Sequence, residues 1–276
     1  MFWFWSRGKT IQVESKTAQV FNLNTQELTV FMNEVEKTSG LNLTNKRSSV
    51  EHKLQVYAKQ KCLNSFAALH DAYLKDKDIR QDIFDIVTVC ETYFFREKKQ
   101  LDMAIEYIAK KRNPKILIAP SSSGEELYSL CILMQERQIK GAKLLGIDLN
   151  SLAILKAKAA IYNEYSLHSI PQPYLEKYFS KMKGNYTLKR EHFNEYNFLL
   201  MNVFSDDFLK LSHFDFIFSR NLMIYFDEKI RYELMDRFSR LLRPDDIFFS
   251  GHADLVPPHS DFEKVFENGI VLWKKK

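Results

Sequence analysis

The chain has 276 residues, enough for one large or two unequal domains, and its 45% hydrophobic and 27% charged content is typical of a globular protein. It contains 40 basic and 35 acidic residues, and the resulting formal net charge of +5 neither requires nor excludes a nucleic-acid partner. No apolar run approaches the roughly 18 to 20 residues of a membrane span. Arg7 and Lys9 follow the opening apolar residues, whereas basic residues precede them in a signal peptide. We therefore predict a cytoplasmic protein.

Cysteine and histidine spacing argues against a metal site. Cys62, Cys90 and Cys131 lie far apart and form no C-x-x-C pair, and the 7 histidines include no H-E-x-x-H. We predict reduced thiols and no bound metal.

The N-terminal third has a helical pattern after an aromatic start. Three placements are considered for Phe2 to Trp5: at a membrane interface, packed on the protein's own surface, or disordered. Four residues are too few to anchor a chain in a membrane, which favours surface packing or disorder. Asn24 is predicted to cap a helix that ends at Gly40. Its buried stripe is Leu28, Phe31, Met32 and Val35. Further helices are predicted over about 45–61, 65–74 and from 78 into the nineties, giving an N-terminal extension (1–23) and a helical domain (24–95).

The second of these helices is rich in cations. Lys46 and Lys53 lie two turns apart on one face, with Arg47 beside the first. Such a face suits an acidic helical partner, but a solvated charged face explains the pattern equally well.

A short motif, Thr92-Tyr93-Phe94-Phe95-Arg96, stands at the junction that follows. An arginine among aromatic residues can clamp a carboxylate in two-pronged fashion, or can form a buried salt bridge between domains. The motif alone does not choose between them.

Residues 115–150 predict a strand, a polar loop, a helix and a second strand, which is a βαβ unit. Ser122 or Ser123 is expected to cap the helix with Glu125 or Glu126 returning the hydrogen bond, and Gly124 to let another molecule approach the backbone. Asp148 ends the second strand, where an acid accepts the hydroxyls of a ribose. An unliganded α/β turn remains an alternative for this stretch.

The remaining chain predicts a doubly wound α/β sheet with a small β-containing insertion at about 165–196. Asn150 caps a helix with Leu152, Leu155, Ala159 and Tyr162 on one side. Strands are predicted at 198–201, 214–218, 247–250 and 269–273, and a helix at 228–242. The segment Arg220-Asn221-Leu222 directly follows a buried strand, at the edge where such sheets bind ligands.

Five ordered segments together resemble the chemotaxis receptor methyltransferase (CheR) family: TYFFRE, SGEELYSL, GIDLNSLAILKAKAAIY, SRNLMIYF and SGHADL. The similarity extends from about residue 27 to the C-terminus. It implies a Rossmann-like, S-adenosylmethionine-dependent enzyme with a catalytic domain over 96–276. It also implies a reaction that forms glutamate methyl esters on the cytoplasmic helices of chemoreceptors, leaves S-adenosylhomocysteine, and is carried out by a monomer.

The resemblance also implies roles for individual residues. Those matching cofactor contacts are Cys90, Thr92, Arg96, Glu125 or Glu126, Asp148, Asn202, Val203, Asn221 and Leu222. Tyr225 matches a tyrosine beside the transferred methyl, and Arg112 is matched to an arginine near the substrate. Apart from the resemblance, the cationic face of the second helix makes Lys46, Arg47 and Lys53 the residues expected to dock the receptor.

The chain departs from the family pattern at several positions. Cys90 replaces the usual asparagine, which favours a non-catalytic scaffold as an alternative function. The turn around Gly184 lacks the family's glycine-rich sequence, which predicts action independent of a receptor's C-terminal pentapeptide. A third interpretation keeps the chemistry but uses another carboxylate as methyl acceptor.

Overall fold

A computed structural model describes residues 21–276, with only the backbone described at Asn45. The prediction for Phe2 to Trp5 lies outside these residues.

Four helices open the described chain, and local capping sets their ends. Asn24 accepts hydrogen bonds from the backbone of Gln26 and Glu27, and Gly40 ends the first helix with a φ of 77°. Ser65 and Asp76 cap the third and fourth helices. The helices are α1 (Thr25–Ser39), α2 (Arg47–Gln60), α3 (Phe66–Lys75) and α4 (Lys77–Val87).

The prediction that the fourth helix continues into the nineties was wrong. Thr88 adopts an extended conformation, and its hydroxyl donates to the carbonyl of Phe84 at 2.7 Å, in a β-branched run that disfavours helix. The next helix, α5 (Lys98–Ile108), begins only after the Arg96 segment.

A seven-stranded sheet forms the centre of the molecule. Its spatial order is β6-β2-β1-β7-β8-β10-β9, parallel except where β10 pairs with β8 and β9. The strands are β1 (Lys115–Ile118), β2 (Lys143–Asp148), β6 (Glu195–Leu200), β7 (Phe214–Ser219), β8 (Leu242–Ser250), β9 (Phe262–Glu267) and β10 (Ile270–Lys275). The doubly wound α/β prediction is confirmed.

Helices cover both faces of this sheet. Adjacent strand residues point to opposite sides, and because both sets are apolar, both faces must be buried. Leu117 joins the core shared with α1 to α4 and α10 (Glu228–Leu241). Its neighbours Ile116 and Ile118 join the core shared with α5, α6 (Glu125–Glu136) and α7 (Ser151–Ala159). The N-terminal helices thus pack directly on the sheet, and the boundary at 95/96 stays a prediction.

The face assigned to α7 was wrong. Leu152 and Leu155 are each 63% exposed, whereas Ala153, Ile154 and Ala157 are buried. Apolar residues are distributed all around this short helix, with Lys156 and Lys158 between them, so periodicity could not choose a face.

Between α7 and β6 lies a small antiparallel sheet of order β3-β5-β4, together with two short helices. These elements are β3 (Ile161–Tyr162), α8 (Glu164–Leu167), α9 (Gln172–Tyr178), β4 (Phe179–Met182) and β5 (Asn185–Leu188). Lys183 and Gly184 form the β4–β5 turn, with φ values of 49° and 80°, as a two-residue hairpin turn requires.

Candidate functional site

A cavity of about 250 Å³ lies at the carboxyl ends of the parallel strands. Loops after β1, β2, β6 and β7 form its floor, and the α1–α2 connection and the segment before α5 form its walls. Ten of the residues predicted for the site line it: Lys46, Thr92, Arg96, Glu126, Asp148, Asn202, Val203, Asn221, Leu222 and Tyr225. The edge chosen from strand ends is therefore the edge that carries the cavity.

Asp148 lies at the centre of the floor and is 7% exposed. One of its carboxylate oxygens accepts from the backbone N–H of Ser122 at 2.7 Å, and the other accepts from the N–H of Asn150 at 2.8 Å. Burial raises the pKa of Asp148 to about 6, although these N–H groups favour the charged form. The carboxylate is held rigidly and keeps lone pairs for a ligand's hydroxyl groups.

The two adjacent glutamates at the start of α6 have different surroundings. Glu126 lines the cavity, where Arg220 donates to its Oε2 at 2.9 Å, and burial raises its pKa. Glu125 is fully buried away from the cavity and accepts from the hydroxyls of Ser123 and Ser166. The structure thus selects Glu126 as the cavity acid and makes Glu125 a link between this loop and the insertion.

The predicted capping box at this turn was wrong. Gly124 occupies the N-cap position of α6, so the hydroxyl of Ser123 bonds the Glu125 carboxylate instead of capping the helix. A Cβ on Gly124 would lie 3.0 Å from Ala157 and 3.1 Å from Phe198. The space beside Gly124, which was predicted to admit another molecule, is therefore occupied by side chains of the protein.

Arg96 and Arg220 have separate roles in the electrostatics of the cavity. Arg220 is buried and pairs with Glu126 at 2.9 Å and Glu97 at 3.4 Å, and it donates to the carbonyl of Arg96 at 2.6 Å. Arg96 donates to the carbonyl of Glu91 at 3.1 Å and forms no ion pair with any carboxylate in residues 21–276. The buried salt bridge considered for Arg96 therefore belongs to Arg220, whose place at this edge was predicted but whose ion pairs were not.

Asp254 fixes the turn after β7. Its carboxylate accepts from the backbone N–H groups of Asn221 at 2.6 Å, Met223 at 2.8 Å and Gly251 at 2.8 Å, and burial raises its pKa. Asn221 adopts a φ of 58°, a left-handed conformation that asparagine tolerates. Asp254 thereby shapes the wall formed by Asn221 and Leu222.

Tyr225 and Lys46 meet across the cavity. The Lys46 ammonium lies 4.3 Å from the centre of the Tyr225 ring, within cation–π distance. The backbone N–H of Asn42 donates to the Tyr225 carbonyl at 2.7 Å, so the α1–α2 connection is tied to this loop. On the opposite side, the Asn202 amide donates to the Thr38 carbonyl at 2.8 Å, which ties the loop after β6 to the end of α1.

Five predicted site residues do not line the cavity. Glu125 is described above; Cys90 is an exposed residue just outside the cavity, where partial desolvation of the thiol and the nearby Asp148 raise its pKa. Arg112 is exposed before β1, at the amino ends of the strands, so its assignment near the substrate was wrong. Arg47 turns to α1 and donates to the Thr29 hydroxyl at 2.6 Å, whereas Lys53 is exposed on α2.

Residues 90–270 match the family model described as CheR methyltransferase, SAM binding domain. The chain belongs to the CheR methyltransferase family. A chemotaxis protein methyltransferase of Campylobacter jejuni subsp. jejuni is 35% identical over 251 residues, which cover 90% of this chain and 96% of the relative. One from Borreliella burgdorferi is 28% identical over 88% of this chain and 93% of its own. This CheR chain is a methyltransferase whose cofactor is S-adenosylmethionine.

Similarity to solved structures is weaker. The plantazolicin methyltransferase BpumL in complex with SAH is 18% identical, with a TM-score of 0.35, and the match covers 73% of this chain and 61% of that one. At that score the match carries no argument about this CheR chain.

The cavity contains polar atoms suited to this cofactor. In the part of the chain that the structure describes, Ser121 Oγ, Glu126 Oε1 and Asn221 Nδ2 are buried without a hydrogen-bond partner, although all three residues line the cavity. A buried polar atom without a partner is unfavourable, so these atoms fit a polar ligand. S-adenosylmethionine brings an ammonium, a carboxylate and hydroxyls to match them.

Across residues 21–276 no helix is both long and apolar enough to cross a membrane. The same residues include no group of three or more histidine, cysteine or acidic side chains that could hold a metal ion.

Proposed function

We propose that this CheR chain forms methyl esters on glutamate side chains of the cytoplasmic helices of chemoreceptors. The observation that carries the proposal is a single cavity that combines carboxylates for the cofactor's ribose and ammonium groups with an arginine for its carboxylate. Lys46 lies beside Tyr225 in the same cavity, on the side proposed for the acceptor. The family membership supplies the reaction class.

Each cavity residue has a proposed part in cofactor binding. Asp148 accepts the ribose hydroxyls, Glu126 the ammonium, and Arg96 binds the methionine carboxylate. The loop after β6, with Asn202 and Val203, borders the adenine, whereas Asn221 and Leu222 lie near the sulfonium. Thr92 lies on the same wall as Arg96.

The chemistry needs alignment more than proton transfer. When bound, S-adenosylmethionine supplies a methyl whose C–S bond breaks as the C–O bond to the glutamate forms, with the electron pair retained by sulfur. A glutamate is already ionised at neutral pH, so the chain supplies no general base. Tyr225 borders the reacting groups, and the α1–α2 connection helps to exclude water.

We propose that the exposed cations of α2 recognise the receptor. Among them, Lys53 lies outside the cavity and contacts the receptor surface. The two-residue turn at Lys183 and Gly184 supports action independent of a receptor's C-terminal pentapeptide, because no longer loop extends from β4. We further propose that the chain acts in the cytoplasm as a monomer, which sedimentation of the purified protein at several concentrations tests.

A paired experiment tests the function. Calorimetric titration with S-adenosylhomocysteine is expected to show micromolar or tighter binding. Transfer of labelled methyl from S-adenosylmethionine to a chemoreceptor cytoplasmic fragment from the same genome should then yield label that dilute alkali releases as methanol, the signature of an ester. Absent cofactor binding would favour the scaffold function attributed to Cys90. Binding without transfer to any receptor fragment would direct the search to another carboxylate acceptor.

A further inference from the structure

The proposed reaction brings two carboxylates into one cavity, that of the cofactor's methionine end and that of the acceptor glutamate. Among residues 21–276, three cationic side chains line the cavity: Lys46, Arg96 and Arg220. Arg220 already forms ion pairs with Glu97 and Glu126. Lys46 and Arg96 have no carboxylate within ion-pair distance among the described residues. Two incoming carboxylates thus face two cations whose charge is not yet paired.

Lys46 is the cation on the acceptor side. It ends a 3₁₀ turn (Thr44–Lys46) immediately before α2, and its ammonium lies over the ring of Tyr225. The next residue, Arg47, turns away to Thr29 and the Thr25 carbonyl on α1. The two neighbouring cations therefore have different roles: Lys46 lies at the cavity, whereas Arg47 holds α1 and α2 together.

Within the described chain, the surroundings of Lys46 are those of an ammonium without an ion-pair partner. The side chain is only half-exposed, and burial together with the nearby Lys53 lowers its pKa. This direction is that of an ammonium lacking a carboxylate beside it. The cation–π contact with Tyr225 supplies modest compensation and limits the positions of the ammonium.

We propose that Lys46 reads the charge of the acceptor side chain, binding the glutamate carboxylate before transfer and releasing the uncharged ester after it. The inference rests on the proposed receptor methylation. Methylation removes the negative charge, so the ion pair with Lys46 exists with substrate and is lost with product. A glutamine at the acceptor position has nearly the same shape as glutamate but no charge. It therefore cannot form the ion pair with Lys46 and is rejected for the same reason as the ester.

Lys53 provides a matched comparison. It is exposed on α2, outside the cavity, and its attraction to an acidic helix does not depend on the state of one acceptor side chain. Removing the Lys53 charge should weaken binding of substrate and product forms alike, whereas removing the Lys46 charge should weaken only the substrate form.

The test compares receptor fragments with a single acceptor position occupied by glutamate or by glutamine. Their affinities for the protein saturated with S-adenosylhomocysteine are measured for the unchanged chain, Lys46→Met, Lys46→Arg and Lys53→Met. The unchanged chain should bind the glutamate form roughly fivefold more tightly, as a single partly exposed ion pair allows. Lys46→Met should bind both forms about equally, with Lys46→Arg restoring the preference and Lys53→Met retaining it.

Kinetics add a second measurement, because Lys46→Met should raise KM for the glutamate receptor more than it lowers kcat. An unchanged affinity for S-adenosylhomocysteine would show that the variant's pocket is intact. Retention of the glutamate preference in Lys46→Met overturns the inference while methylation by the unchanged chain upholds the proposed function. If the unchanged chain methylates no receptor fragment, the proposed function fails and this inference fails with it.

Discussion

Asp148 holds a proton more tightly than an exposed aspartate does, because burial disfavours its charge and raises its pKa to about 6. A ribose diol donates hydrogen bonds and therefore favours the ionised carboxylate. Cofactor binding should lower this pKa, so binding below pH 6 must first remove a proton. Affinity for S-adenosylhomocysteine is expected to be nearly constant above about pH 7 and to fall up to tenfold per unit below about pH 6.

Calorimetric titrations across this pH range check the expectation. Asp148→Asn is the matched control, since it keeps the shape but cannot ionise; it should bind weakly with little pH dependence. Glu126 and Asp254 also have raised pKa values. A slope that persists unchanged in Asp148→Asn would assign the effect to those groups.

Some site residues could be predicted from position and others could not. Asp148 follows a strand directly, and its place at the sheet edge follows from topology alone. The ion pairs of Arg220 could not be predicted, because its partners Glu97 and Glu126 are remote in sequence, the latter by 94 residues. The signal available was that Arg220 directly follows the largely buried strand Phe214–Ser219, since a charge at such a place needs a buried partner.

The loop that Asp254 organises shows how one carboxylate holds several segments together. Asp254→Ala would leave the N–H groups of Asn221, Met223 and Gly251 without their acceptor. We expect the free energy of unfolding to fall by about 2–4 kcal/mol. Affinity for S-adenosylhomocysteine should fall as well, because the wall formed by Asn221 and Leu222 loses its support.

Urea unfolding and calorimetric titration measure the two effects. Asp254→Asn keeps one carbonyl oxygen as acceptor and should show a smaller loss of both properties than Asp254→Ala. Normal stability and affinity in Asp254→Ala would show that the turn after β7 does not depend on this carboxylate.

Elements were predictable where local chemistry sets their limits. Asn24, Ser65 and Gly40 mark helix ends through hydrogen bonds made within a few residues. The strand β9 was missed because two adjacent charges, Glu263 and Lys264, precede Val265 and Phe266 and break the alternation of a half-buried strand; pairing with β10 stabilises it. The start of β8 was placed too late, since the polar residues after Leu242 join the strand in the folded sheet.

The molecule couples its N-terminal helices to the cofactor edge. Gly40 ends α1 with a φ of 77°, and a Cβ there would lie 2.4 Å from the ring of Phe204 in the loop after β6. Gly40→Ala should therefore strain the backbone and move the α1–α2 connection. We expect a loss of about 1–3 kcal/mol in the free energy of unfolding and a several-fold weaker affinity for S-adenosylhomocysteine.

Gly184 offers the matched control. Its φ is 80°, but nothing lies within 4 Å of a Cβ placed there. Gly184→Ala should show only the cost of the backbone conformation, about 1 kcal/mol, with unchanged affinity. Equal affinity in the Gly40 and Gly184 variants would argue that the helical wall contributes nothing to cofactor binding.

Within residues 21–276, no strand pairs with the outer edge of β9, and Phe266 on this strand is 73% exposed. An open edge with an apolar side chain is a template on which a second molecule can add a strand. Glu263 and Lys264 interrupt that template with charges. Concentrated solutions of the protein should accordingly resist edge-to-edge aggregation, and replacing both charges with valine would convert this border of the sheet into a seed for fibrils.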